Sequence, residues 1–216
     1  FENKGGTITN NGTIINFNKI YNKKNDDNTV AGTIINNGTI TNKIFSYTTW
    51  PPGDDRVDGV QGTLTNFKGC TINNNGTINN LWQHDLPGGG DDDNGCYINN
   101  YGILNNSGTI DNEGIFSNEG DGATINNNGG KIDNSSIFPN GAQIRNSKLI
   151  NNNGGEINNS GTYQNGSPSN SSVITNTDGT FNNHGTTSGT IPGGGTISGL
   201  AWGYTPYTLA TLNNAL

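Results

Sequence analysis

Thr33-Ile34-Ile35-Asn36-Asn37-Gly38-Thr39-Ile40-Thr41-Asn42 is the stretch that decides the fold. It carries one phrase twice, Thr-Ile-x-Asn, joined at Asn37-Gly38. Upstream, Thr7-Ile8-Thr9-Asn10 runs into Asn11-Gly12-Thr13-Ile14-Ile15-Asn16 in the same way. Downstream, Thr71-Ile72-Asn73 is followed by Asn75-Gly76-Thr77-Ile78-Asn79. The unit is roughly Asn-Gly-Thr-Ile-x-Asn. Self-similarity at a fixed short period marks a repeat architecture and takes precedence over local propensities.

The central apolar residue recurs at Ile98, Ile103, Ile110, Ile115, Ile125, Ile132, Ile137, Ile144, Ile150, Ile157 and Tyr163, and less regularly at Ile174, Phe181, Ile191 and Ile197. A helix face repeats at three and four residues, and these spacings do not. Within a unit the pattern is Thr out, Ile in, x out, the two-residue period of a strand. Asn-Gly supplies the tight corner, because both residues tolerate turn conformations at low cost. One unit buries a single side chain and cannot stand alone, whereas stacked units build a continuous column. The expected fold is all-β, a parallel β-solenoid of short strands with about six or seven residues per unit. Stacked Asn side chains are expected to form ladders between coils. A flattened coil of two strands and a triangular coil of three are both compatible with the spacing. The room that inward Phe and Tyr need favours three.

Composition narrows the function. The chain has 216 residues, a net charge of −7, 28% hydrophobic and 12% charged residues, 34 Gly and no Met. Both shares fall below globular averages, and no apolar run approaches the ~18 residues that span a bilayer. Seventeen acidic against ten basic residues argue against nucleic acid as a partner. Disorder would need high net charge or aperiodic polarity, and the polarity here is periodic.

The Asn-Gly-Thr-Ile-x-Asn units resemble the Gly-Thr-Ile-Asn repeats of secreted and surface β-solenoid proteins: microbial adhesins, extracellular filament subunits, and viral or phage fibres. The resemblance covers most of residues 5–199. It implies a solenoid at an extracellular, cell-surface or virion-surface location, and it says little about function, because one scaffold serves many roles.

Residues 1–199 are expected to form the solenoid, with loop insertions near 21–31, 45–62 and 82–97. Residues 200–216 form a distinct tail that caps the last coil or docks on a neighbour. Trp202, Tyr204 and Tyr207 in that tail, with Phe1 and the first coil opposite, are the expected assembly interface of a self-associating fibre or homopolymer. Phe1 in place of an initiator Met fits a processed chain or a fragment. The alternative function is a carbohydrate- or receptor-binding module that stacks surface glycans on Trp50 and Trp82 in the inserted loops.

Candidate chemistry is sparse. Cys70 and Cys96 lie on either side of the Trp82 to Asp93 region and are expected to close this loop as a disulfide, with buried free thiols as the alternative. Asp91, Asp92 and Asp93 follow three glycines and offer oxygen ligands for calcium, though without EF-hand spacing; no other cofactor is expected. His84 and His184 are far apart, no nucleophile motif accompanies them, and the carboxylates are scattered, so no enzyme activity is expected. Sequons occur at Asn11, Asn37, Asn75, Asn105, Asn134, Asn158, Asn165 and Asn170, although the repeat itself generates Asn-Gly-Thr. Thr7, Thr13, Thr33, Thr39, Thr63, Thr71, Thr77, Thr109 and Thr124 precede inward residues and resemble the threonine arrays of ice-binding solenoids, a third function. Lys131/Asp133, Gln143/Arg145 and Glu156/Asn158 are expected to interrupt that array.

Overall fold

A computed structural model describes residues 1–46, 59–82, 95–135, 142–165, 172–188 and 196–198. Among them there are strands and turns and no helix. The chain winds as a parallel β-solenoid with three sides. Successive strands fall on the first, second and third sheet in turn, giving stacks of eight, seven and eight strands.

One uninterrupted coil shows the geometry: Tyr97–Asn100, Ile103–Asn106 and Thr109–Asn112, one strand per side. Tyr97 then pairs with Ile115, eighteen residues on, so each side with its corner takes six residues. The pairings between coils are parallel and stack inward residue on inward residue: Ile72 lies between Ile34 and Leu104, and Asn74 between Asn36 and Asn106. The triangular alternative is therefore the observed one.

Insertions lengthen some coils without shifting this register. Residues 24–31 form an exposed turn in which the Asn25 side chain accepts the backbone N–H groups of Thr29 and Val30. The strand Lys19–Lys23 claims the start of the expected first insertion. Phe45–Ser46 and Gly59–Val60 pair antiparallel at the base of the second insertion, and the strand Tyr97–Asn100 begins where the third ends.

The core has two layers. The outer layer is the Ile column on each side, with eighteen residues such as Ile34, Leu64, Ile110 and Ile157 almost wholly buried. Phe116, Tyr163 and Phe181 are three of these eighteen, and the last two rings meet edge to face at 5.4 Å. The second layer is the Asn that closes each strand. On the second side Asn10 donates Nδ2–H to Asn36 Oδ1, Asn36 to Asn74, Asn74 to Asn106, Asn106 to Asn127 and Asn127 to Asn152, all at 2.8 Å. The same nitrogen also donates to the backbone carbonyl that opens the next strand of the adjacent coil, as Asn74 does to Thr109 at 3.0 Å. Burying so many amides is tolerable because each finds partners within the stack.

Candidate functional site

Among the described residues no three His, Cys, Asp or Glu side chains gather as metal ligands would. What the chain offers is three walls, their corners and an open end.

The corners explain the small residues. A Cβ on Gly38 would lie 2.0 Å from the Gly12 carbonyl oxygen, and one on Gly76 would lie 2.1 Å from that of Gly38. Glycine is required because consecutive corner backbones touch. Cys70 stacks between Gly32 and Gly102, and Cys96 between Gly62 and Gly114, each just before a strand. Both thiols are buried and free. The expected disulfide is therefore absent: Cys70 sits at the corner between the first and second sides, Cys96 at the corner between the third and first. They act as small corner fillers, as Ala123 and Ala142 do in later coils. Burial pushes the Cys96 thiol up to about 11, which removes the thiolate that reactivity needs.

The walls differ chemically. The first carries Glu2, Lys4, Lys19 and Lys23, with Lys23 paired to Glu2 at 2.9 Å. Farther along it Ile115 and Ser117 point outward in register yet are buried. At its edge Tyr21, Phe67 and Tyr101 stack from coil to coil with centroids 5.5 and 6.4 Å apart. Phe67 is 38% exposed. The stack is not legible in the sequence, because its members are 46 and 34 residues apart.

The third wall holds the acidic group. Asp111 and Asp133 are stacked neighbours, and Lys131 contacts Asp133 at 2.7 Å. Desolvation, and then the neighbouring Asp133 charge, raise the Asp111 carboxyl above its usual range, against a smaller opposing pull from Lys131.

Among the described residues, the strands of the second wall carry no ionisable side chain. Its outward rows are Thr7, Thr33, Thr71, Ile103, Thr124, Leu149 and Val173, and beside them Thr9, Ile35, Asn73, Asn105, Asn126, Asn151 and Thr175. Asn105, Asn126 and Asn151 form an outer ladder at 2.8 Å, from Asn151 to Asn126 to Asn105 to Asn73. The charged residues expected to break the threonine array do so on the third wall, where Lys131 and Glu156 continue the row of Thr13, Thr39, Thr77 and Thr109 with Asp133 beside them; Arg145 lies on the first wall, and the second is left clear.

The expected acceptors for sugars divide by register. Asn134 and Asn165 close strands, point inward and are buried in the ladders, so a glycan does not fit on either in the folded chain. Asn11, Asn37 and Asn75 stand at exposed corners, and Asn105 and Asn158 face outward. Trp82 packs over Gly95, where a Cβ would meet its ring at 2.7 Å; its backbone N–H donates to Glu113 at 3.3 Å. It holds the base of its loop against the wall. Trp50, His84, Asp91 to Asp93, Asn170, Trp202, Tyr204 and Tyr207 lie outside the described residues.

At the N-terminal end the column is uncovered among the described residues. Phe1 is 53% exposed, and Ile8 and Ile14 are only partly buried, unlike every described residue stacked below them. The inner ladders have one polarity, Nδ2 donating toward later coils, so Asn10 and Asn16 turn their Oδ1 atoms to the open end. There they accept only the local N–H groups of Gly12 and Asn18 at 3.2 and 3.3 Å.

No protein-family model, curated protein or solved structure matches this chain.

Proposed function

We propose that the chain is a structural subunit of an extracellular filament, fibre or adhesin, a stiff rod that assembles end to end. The unbroken register of the stack supports this reading: the apolar column and the Asn ladder repeat from coil to coil with one polarity, so a coil of a second copy would continue both in register. The ladder polarity makes such stacking head to tail, and a head-to-tail contact that does not close yields a filament. Residues 200–216, with Trp202, Tyr204 and Tyr207, are the proposed partner surface at the other end. Negative-stain microscopy and sedimentation of concentrated protein should show polymers that Ile14→Lys or deletion of 200–216 abolishes. Monomeric rods at every concentration would overturn the proposal.

A second reading is favoured by the uncharged second wall: ice binding through its flat Thr, Ile and Asn rows. Ice-crystal shaping by the purified protein, lost in Thr71→Lys, tests it. Growth of unshaped crystals removes it.

A further inference from the structure

The second wall has the make-up of a contact surface. Its seven strands turn Thr, Asn and aliphatic residues outward and no charge. The other two walls are charged, with Glu2, Lys19 and Lys23 on the first and Asp111, Lys131 and Glu156 on the third. Among the described residues seven large apolar side chains are exposed. Phe1, Ile15 and Phe17 belong to the first coil; the other four, Val30, Phe67, Ile103 and Val173, lie on the second wall or along its corner with the first. Apolar residues scattered singly over a surface are ordinary, but a patch that follows one face marks an interaction site. The two longest connections, 43–62 and 81–96, both join the third side to the first, at the corner opposite this wall.

The chemistry of the wall selects its partner. Asn105, Asn126 and Asn151 each spend one Nδ2 proton on the rung before, at 2.8 Å, and the second proton of each has no acceptor among the described residues. A partner that meets successive rungs must offer acceptors and must repeat at the coil spacing of ~4.8 Å. A second copy of this wall has both. Its Asn105 and Asn126 Oδ1 atoms each accept a single ladder bond and keep a lone pair, and its repeat is the same. Charge points the same way. Two copies of a chain with a net charge of −7 repel each other, and contact through this wall brings no like-charged strand residues together. A charged rim borders it at the corner with the first wall, where Lys148 pairs with Asp121 at 3.4 Å, as polar rims border the apolar centre of protein interfaces. Seven strands, each about four residues wide, present about 450 Å² of flat face, so a pair buries roughly 900 Å², within the range of weak, reversible complexes.

We propose that the second wall is a pairing face between two copies of this chain, packed wall to wall about a two-fold axis. The same patch then serves both copies, and the contact closes at two. Pairing concerns the sides of the rod and stands whether or not the ends assemble. It occupies the face that ice binding would use.

Sedimentation equilibrium of the purified chain at rising concentration should show a monomer passing to a dimer. Ile103→Lys, which buries two unpaired ammonium groups per pair, should weaken pairing at least about a hundredfold. Lys131 and Glu156 hold the matching strand position on the third wall, so the fold accepts either charge there. Ile103→Glu should dissociate the pair equally, and mixing the two variants should restore it, which a folding defect cannot do. Thr77→Lys, at the same strand position on the third wall, should leave pairing unchanged. A chain that stays monomeric at every concentration would overturn the inference, whether or not it shapes ice, and so would association that both Ile103 variants leave intact. Ile14→Lys acts on the end contact and should leave the dimer in place, so the two contacts fail separately.

Discussion

Asn106 and Asn37 are both rungs of Asn ladders with near-ideal geometry, and they should respond to the same substitution in opposite ways. Asn106 is fully buried. It donates to Asn127 Oδ1 at 2.8 Å and to the Lys131 carbonyl at 3.1 Å, and it accepts from Asn74 at 2.8 Å. Asn106→Leu keeps the branched outline of the side chain but strands one Asn74 proton and the Asn127 oxygen away from water. Each orphaned group costs about 1–3 kcal/mol, so the loss should be about 4 kcal/mol. Asn37 makes equally short bonds to Asn11 and Asn75 at an exposed corner, where water replaces what is removed. Asn37→Leu should stay within about 0.5 kcal/mol. Urea unfolding followed by circular dichroism reads both. With a slope of about 2–3 kcal/mol per molar, Asn106→Leu should move the midpoint by roughly 1.5–2 M, and Asn37→Leu by little. An unchanged slope is required, since a repeat rod can unfold in parts. Equal midpoint shifts would refute the claim that burial, rather than ladder geometry, gives these amides their weight.

Three further outcomes are expected. The Tyr163 hydroxyl is buried without a hydrogen-bond partner, so Tyr163→Phe should raise stability by about 1 kcal/mol, and a clear loss in the same urea assay would contradict the packing described. Gly76→Ala, whose Cβ meets a carbonyl oxygen, should cost several kcal/mol, while Gly12→Ala, facing open space, should be near neutral; thermal melts compare them directly. The Cys96 thiol, raised from 9.0 to about 11 by burial, binds its proton more tightly when folded. Its contribution is therefore intact below pH 9 and is lost as pH rises toward 11. The stability of the native protein should fall across that window, and Cys96→Ala should flatten the fall; the same slope in both proteins would reject the assignment.

The Gly38–Gly12 and Asn36–Asn74 contacts show how far the sequence reading reached. Asn-Gly-Thr-Ile-x-Asn contains the corner, the inward Ile and the ladder Asn, and these are local: period two within the strand, a turn dipeptide at its end. Cys70 and Cys96 show where it stopped. Two cysteines around an insertion look like a clasp in one dimension, and only the winding puts them at different corners, each in a column of glycines. Asn134 and Asn165 were legible as sequons, but whether an Asn closes a strand or turns a corner depends on register by a single residue, which reverses its direction.

The sequence by itself thus determined the class: a polar repeat with one inward apolar residue per unit has no stable solution except stacking. Tertiary structure decided the number of sides, because six residues per side close only when the third strand returns to the first. It also decided which outward residues share a wall. Lys131 and Thr124 are seven positions apart yet lie on different faces, and that separation leaves one wall uncharged and confines the acidic group to another.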